Sequence, residues 1–296
     1  MMGFVNINKP KGKTSHDIVA MLRRILKIKQ IGHTGTLDPM ATGVLPVAIG
    51  KASRLIEYLK EDKAYIAELQ FGMMSDTYDI EGVVEKFSDT KITNEQIIEA
   101  LKNFRGEIEQ LPPAYSAVHY KGKRLYELAR QGVIPDDIPK RTVFVDKIDL
   151  LEFDYETQIA KIEVECSKGT YIRSIINDLG MMLGCGAVMT GLKRTKSGLF
   201  EIKFALTIDE NTSIDDIKNA IMNPLEILHF KQKELTDIEI KRIKNGQYIY
   251  TTDFNDGEFV CLKQNNKLCA VAQKDNSKSI LITKKVFIQW WIEIFL

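Results

Sequence analysis

The sequence predicts an α+β fold: a mixed, largely antiparallel sheet flanked by helices, followed by a small β-rich unit. Three observations carry this. Strand-like and helix-like segments alternate irregularly over residues 1–229, with hairpin-like strand pairs among them. Capping-box patterns at Thr14–Asp17 and Thr93–Gln96 precede amphipathic stretches. Near residue 230 the texture changes to short strands separated by turn signals, so the expected division is 1–229 and 230–296.

In chain order, FVNI reads as a short strand, followed by the turn Lys9-Pro10-Lys11-Gly12-Lys13. Thr14 and Asp17 open a helix whose apolar face is Ile18, Val19, Leu22, Ile25 and Leu26, spaced at the helical period. VLPVAIG reads as a buried strand, SRLIEYLK as a short helix, and Tyr65–Phe71 alternates like a half-buried strand. After an acidic stretch, Thr93 caps a helix that runs to about Phe104. A loop-rich basic segment, LPPAYSAVHYKGKRLYELARQG, leads to two long strands at about 142–154 and 157–166, then a helix from about Thr170 to Leu183. The C-terminal unit begins with helix-like TDIEIKRIKNG and continues as strands between Asn255-Asp256-Gly257, Asn265-Asn266 and Asp275-Asn276.

Bulk properties exclude several classes. At 296 residues the chain buries a large core without staples. Its four cysteines form no CxxC pair and read as reduced, buried thiols of an intracellular, cytoplasmic protein. Only four histidines occur, none with a partner at zinc spacing, which speaks against a metal site. The start lacks the apolar run of a secretory signal, so none is expected. The tail VFIQWWIEIFL is too short to span a bilayer, carries Glu293, and is expected as a final strand or docked end. Charge is segregated: residues 1–60 hold ten Lys and Arg against three Asp and Glu, whereas 61–160 hold twelve against twenty. Such asymmetry either creates an anion-attracting face or is neutralised by pairing in the fold.

Two motifs tempt and fail. Gly12-Lys13-Thr14 resembles the end of a P-loop, but the required first glycine is replaced by Ile7. No GxSxG nucleophile elbow occurs. More informative is GHTGTLDPMATGVLP, residues 32–46, where three glycines, three threonines and two prolines surround Asp38. Asp38-Pro39 suits an Asx-type turn, which would be structural only. The glycines would also let backbone approach a ligand closely while the loop holds one carboxylate in place. Composition alone leaves both readings open.

That stretch closely resembles the catalytic-aspartate motif of the TruB family of tRNA pseudouridine synthases. Lys63-Ala64-Tyr65 is similar to the family's Lys-x-Tyr, and SDTYDIEG (75–82) to its TDTxDxxG, with Ser75 at the first threonine. Pro113–Gly122 with Arg124-Leu125-Tyr126 resembles the PPxYSA…KxGxxxY segment. Cys166–Ser174 matches CSKGTYIRS, and Leu192–Thr195 with Gly198 and Phe200 matches LxRTxxGxF. Ordered matches run from Asn8 to Phe200. The last seventy residues match more loosely, where the family often carries a PUA-type RNA-binding domain; residues 230–296 are expected to be PUA-like.

The resemblance implies isomerisation of uridine to pseudouridine in the tRNA T-loop, at the nucleotide numbered 55, with the base flipped out of its stack. Nothing is oxidised or imported, so no cofactor is implied. Asp38 is implied as the catalytic carboxylate, able to attack covalently or to stabilise positive charge. Arg173 is implied as its ion-pair partner, since an adjacent guanidinium favours a charged carboxylate. Tyr65 is implied to stack on the uracil and to serve in proton transfer; read bottom-up, a strand tyrosine also suits a packed core. Tyr171 and Leu192 are implied pocket residues, and His33 is implied to fill the space the base vacates. Lys9, Lys11, Lys13, Arg23 and Arg24, with Lys121, Lys123 and Arg124, are candidate phosphate contacts or plain surface charges. Tyr115, Tyr120 and Tyr126 interleave with the second cluster and suit a loop that closes on splayed RNA. The expected partner is the tRNA T-arm, with no membrane and no guide RNA, and the protein is expected as a bacterial-type monomer. Two alternatives are a non-catalytic tRNA-binding or folding protein and a guide-RNA-dependent synthase.

Overall fold

The computed structural model describes residues 1–135 and 137–288, with Asn276 described by its backbone alone. Of the tail expected over 286–296, the part beyond residue 288 lies outside the described residues. The main sheet contains β1 (Gly3–Lys9), β2 (Ile31–His33), β3 (Thr42–Ile49), β4 (Lys63–Phe71), β5 (Gly106–Gln110), β6 (Arg141–Asp154), β7 (Ile159–Cys166), β8 (Ala187–Ser197) and β9 (Leu206–Thr207). Its order is β9-β1-β3-β8-β4-β7-β6-β5, with β2 on β3 and Phe200–Glu201 on β8. Only β9 on β1 and β8 on β3 pair in parallel. The sheet is therefore mixed and largely antiparallel, as the hairpin-like pattern predicts.

One face of the sheet carries α1 (Ser15–Leu26), α2 (Asn94–Leu101) and α3 (Ile172–Met182). Thr14 and Thr93 each accept from the N3 amide while the N3 side chain returns the bond, so both capping boxes form. Ile18, Val19, Leu22 and Leu26 of α1 are buried against Val5, Ile7, Leu45 and Val47. Each such side chain contributes roughly 1.5–3 kcal/mol on burial. The opposite face of β1 and β3 presents Phe4, Val44 and Ala48 to a second core that includes Leu225, Cys261, Leu268, Val271 and Phe287. Burial on both faces explains why VLPVAIG reads as a continuous apolar run rather than an alternation.

The second sheet has strands β10 (Lys231–Glu234), β11 (Ile249–Tyr250), β12 (Phe259–Gln264), β13 (Lys267–Asp275) and β14 (Ile280–Val286), ordered β10-β12-β13-β14-β11. Helix α4 (Asp237–Lys244) lies between β10 and β11 and is capped by Thr236. The strand turns fall at the Asn and Asp pairs read from sequence, with Asn265 and Asn266 both at positive φ. All four cysteines are free and buried. Burial pushes the Cys166 thiol up to about 11 and that of Cys261 to about 12, so both stay protonated and unreactive.

Two elements are defined more closely than the sequence allowed. The short helix read at 53–60 is a 3₁₀ helix, Gly50–Tyr58; its start is a left-handed Gly50 and no side chain caps it. The segment 111–132, read as loop-rich, contains a hairpin of two-residue strands (His119–Tyr120 with Lys123–Arg124) and a short helix, Leu125–Ala129.

Candidate active site

The loop 34–41 has no regular structure, yet it is fixed at nearly every residue. Leu37, Met40 and Ala41 are buried on either side of Asp38 and anchor it in the core. The Leu37 amide donates to Ser15 Oγ at 2.9 Å, just after the cap of α1. The Gly12 amide donates to the Pro39 carbonyl at 2.8 Å. From β8, Arg194 donates to the carbonyls of Val44 (2.7 Å), Thr36 (3.3 Å) and Gly35 (3.2 Å). Where the loop enters β3, Gly43 has φ +99°, and a Cβ there would stand 2.2 Å from the Arg194 carbonyl oxygen. Only glycine allows that approach.

The fixed loop leaves the Asp38 carboxylate one-third exposed, at 34%, against Arg173, whose side chain is only 8% exposed. Arg173 lies in the first turn of α3, with Nη2 3.2 Å from Asp38 Oδ2 and Nη1 3.3 Å from Asp79 Oδ2. It also donates to the carbonyls of Thr77 (3.2 Å) and Tyr115 (3.1 Å). Asp79 in turn accepts from Thr77 Oγ1 at 2.6 Å and from the Glu81 amide at 3.0 Å. A buried guanidinium is thus shared between one enclosed carboxylate and one that faces solvent. Removing either partner would leave an uncompensated charge.

Tyr65 lies on the inner face of β4, 7% exposed and paired across the sheet with Arg194 and Val164. Burial pushes its phenol upward, with Arg194 opposing, so the hydroxyl keeps its proton. Leu192 is partly buried on β8, against the same core. Tyr171 caps α3 and packs with Val118, Leu125 and Ile138 of the 113–140 segment, while its amide and carbonyl pair with Gln110. His33 ends β2 in an edge contact with His16, ring centroids 5.3 Å apart, and its buried Nδ1 has no hydrogen-bond partner. Burial, helped by the neighbouring His16 and Arg194, pushes its pKa down to about 4.

The two lysines depart from this group. Lys9, expected at a phosphate, is fully buried instead. Its ammonium donates to the carbonyls of Lys13 (2.6 Å), Pro10 (3.0 Å) and Pro39 (3.3 Å), and burial pulls its pKa down to about 8. With all three donors spent on backbone, Lys9 braces the loop that carries Asp38 and cannot reach a phosphate. Lys121 is exposed on the 119–124 hairpin, 3.3 Å from Asp137 and over the Tyr120 ring. Among the described residues no group of three His, Cys, Asp or Glu side chains could hold a metal.

The sequence reading did not single out Asp79, Arg194 or Ser15. Asp79 and Arg194 stood inside quoted motifs, but spacing does not show which charge meets which. Their burial pairs Asp79 with the guanidinium and Arg194 with the loop.

With this geometry in view, the comparisons are specific. Residues 23–172 match the family model described as TruB family pseudouridylate synthase (N terminal domain), and 173–226 match that of the tRNA pseudouridylate synthase B C-terminal domain. The tRNA pseudouridine synthase B of Heliobacterium mobile is 41% identical, over 92% of this chain and 89% of its own. That of Gloeothece citriformis (strain PCC 7424) is 46% identical, over 84% and 82%. Among solved structures, a Cbf5-Nop10-Gar1 complex contains a chain 28% identical with TM-score 0.69, covering 97% of this chain and 85% of the other. An H/ACA RNP bound to a substrate RNA containing 2'-deoxyuridine gives TM-score 0.68 at 26% identity over the same shares.

Proposed function

The chain belongs to the TruB family of pseudouridylate synthases, and from that premise we propose that it converts a uridine of the tRNA T-loop, nucleotide 55, to pseudouridine with Asp38 as the reacting carboxylate. The enzyme class, a tRNA pseudouridine synthase, follows from the family. The single observation that carries the mechanism is the solvent-facing Asp38 carboxylate held against a buried Arg173, which a second acid fixes from behind.

The reaction breaks C1′–N1, turns the uracil and joins C1′ to C5; the C5 hydrogen leaves as a proton and N1 gains one. Asp38 supplies the negative charge this rearrangement needs, and Arg173 holds it in position without quenching its exposed oxygen. Tyr65 offers a flat, protonated phenol to an extruded base. Stacking of that kind contributes about 1–3 kcal/mol, comparable with the few kcal/mol that flipping costs. We read His33, half-buried beside the loop, as the side chain that fills the space the base leaves. The 113–126 segment reaches the site through the Tyr115 carbonyl and would close over bound RNA. We read residues 230–296 as a further RNA-binding unit and the protein as a monomer acting on the T-arm in the cytoplasm.

The test is tritium release from a bare tRNA transcript labelled at uridine C5, comparing the native chain with Asp38→Asn. Release by the native chain alone is expected. No release by either, with tight tRNA binding kept, would favour a binding or folding role. Release by the native chain only after a guide RNA and partner proteins are added would favour the guided reading, which the Cbf5-containing neighbour suggests. The higher identity to stand-alone names, 41% and 46%, favours the unguided one.

A further inference from the structure

We propose that the small pocket between Thr34, Lys60, Lys63 and Ser197 is a phosphate subsite that holds a backbone phosphodiester of the RNA strand carrying the target uridine. The proposal rests on the tRNA reading above and adds a site to it. Lys63 opens β4 on the same face as Tyr65, paired in register with Cys166 and Ser197. Its ammonium lies under the catalytic loop: a methyl group placed on Gly35 would stand 3.5 Å from Lys63 Nζ and 3.8 Å from Arg194 Nη1. The pocket and the Asp38 loop therefore share a wall.

The charges around it do not balance. Among the described residues, Lys63 and Lys60 have no carboxylate within salt-bridge distance, and the side-chain hydroxyls of Thr34 and Ser197 have no hydrogen-bond partner. Lys168, also on the rim, is already taken by Glu61 at 2.5 Å. Beneath them the Arg194 guanidinium donates to backbone carbonyls and meets the Tyr65 side chain, and among the described residues no acid forms an ion pair with it. Burial, reinforced by Arg194, lowers the Lys63 pKa, with Cys166 and Glu61 opposing. Keeping a half-buried ammonium unpaired is costly unless an anion arrives to pair it. Three lysines (Lys60, Lys63 and Lys168) line the pocket against one acid, Glu61, which Lys168 already engages, so the lining carries a net positive charge that favours an oxyanion. The cavity of about 40 Å³ admits two or three water-sized groups, the size of the non-bridging oxygens of one phosphodiester. An RNA strand passing Asp38 would bring such a group to this wall of the loop, with the Arg194 and Lys63 cations beside it.

The experiment measures tRNA affinity against salt for the native chain, Lys63→Met, Lys60→Ala and Lys63→Arg, with single-turnover rates at saturating tRNA. Lys63→Met is expected to weaken binding roughly tenfold at 0.1 M salt. The slope of log affinity against log salt should fall by about 0.7–1, the signature of one lost phosphate contact. Lys60→Ala, at the exposed rim and neutral to folding, should lower the slope by a smaller amount, and Lys63→Arg should restore it. Unchanged affinity and slope in both neutral variants would overturn the proposal. So would a fall in saturated rate with affinity intact, which would make Lys63 a brace for the loop. Failure of the native chain to bind tRNA at all would instead remove the tRNA reading, and this site with it.

Discussion

Three segments meet Arg173, and two of them, the Asp38 loop and the segment that carries Tyr115, are built on opposite plans. The loop 34–43 is held by buried groups from three elements: Ser15 after the cap of α1, Lys9 at the end of β1 and Arg194 in β8. Among its described residues, the segment 113–140 touches Arg173 through the Tyr115 carbonyl and carries a small core of Val118, Leu125 and Ile138. Its polar contacts are mostly on the surface, such as Lys121 with Asp137. The first segment uses cations to hold its own backbone carbonyls, so the carboxylate sits in place before substrate arrives. The second has fewer buried contacts and, on the proposal above, is the part that would adapt to RNA. Position is then stored on one side of the guanidinium and adaptability on the other.

The largest effect expected from disturbing this contrast is at Asp79. Asp79→Asn keeps the shape and an acceptor for Thr77 but removes the charge behind Arg173, leaving the guanidinium to Asp38 alone. A drop in single-turnover rate of roughly 10- to 100-fold is expected, the scale of a reacting group displaced by a fraction of an ångström to one ångström. Affinity for tRNA should stay within about threefold, because Asp79 is enclosed and meets no ligand. A full rate for this variant would show that Asp38 and the Thr77 and Tyr115 carbonyls orient Arg173 without the second acid.

An intermediate effect lies in the acid response of the fixed side. His33 has its pKa at about 4 in the folded chain against 6.5 when exposed. Between those values the unfolded chain binds a proton that the folded chain refuses, so stability falls as pH drops from 6.5 through 4. Melting temperature measured at pH 7 and pH 4.5 should therefore fall less for His33→Gln than for the native chain. Equal losses would place the acid sensitivity elsewhere in the fold.

How much of this was readable beforehand follows from the same physics. The caps of α1 and α2 are local, three residues apart, and were legible as such. Strand β8, which sits between β3 and β4 near the sheet centre, was not read as a strand. Its sequence AVMTGLKRTKS contains Gly191 and three basic residues, and two register shifts against β4 break the alternation that marks a strand. The resemblance pointed to Asp38, Tyr65 and Arg173, and the fold brings Asp38 and Arg173 into contact. It gave no warning that Lys9 turns inward. A lysine in a Lys-Pro-Lys turn looks exposed until the loop carrying Pro39 is folded over it, and that is a long-range event no spacing rule contains.

The smallest effect belongs to the adaptable side, and it sharpens the contrast by its size. Lys121 pairs with Asp137 where both side chains are about 70% exposed, at 72% and 69%. Such pairs contribute about 0–1 kcal/mol and are screened by salt, so Lys121→Ala should leave the melting temperature nearly unchanged. If the hairpin meets phosphate when it closes, the variant should weaken tRNA binding only about two- to fivefold at 0.1 M salt, with a salt slope lower by about 0.7–1. The saturated rate should stay that of the native chain, because nothing in the Asp38 group leans on this lysine. A large fall in saturated rate would mean that closure of 113–140 sets the position of Arg173 through the Tyr115 carbonyl. The fixed and adaptable sides would then be a single device, with the guanidinium as the hinge between them.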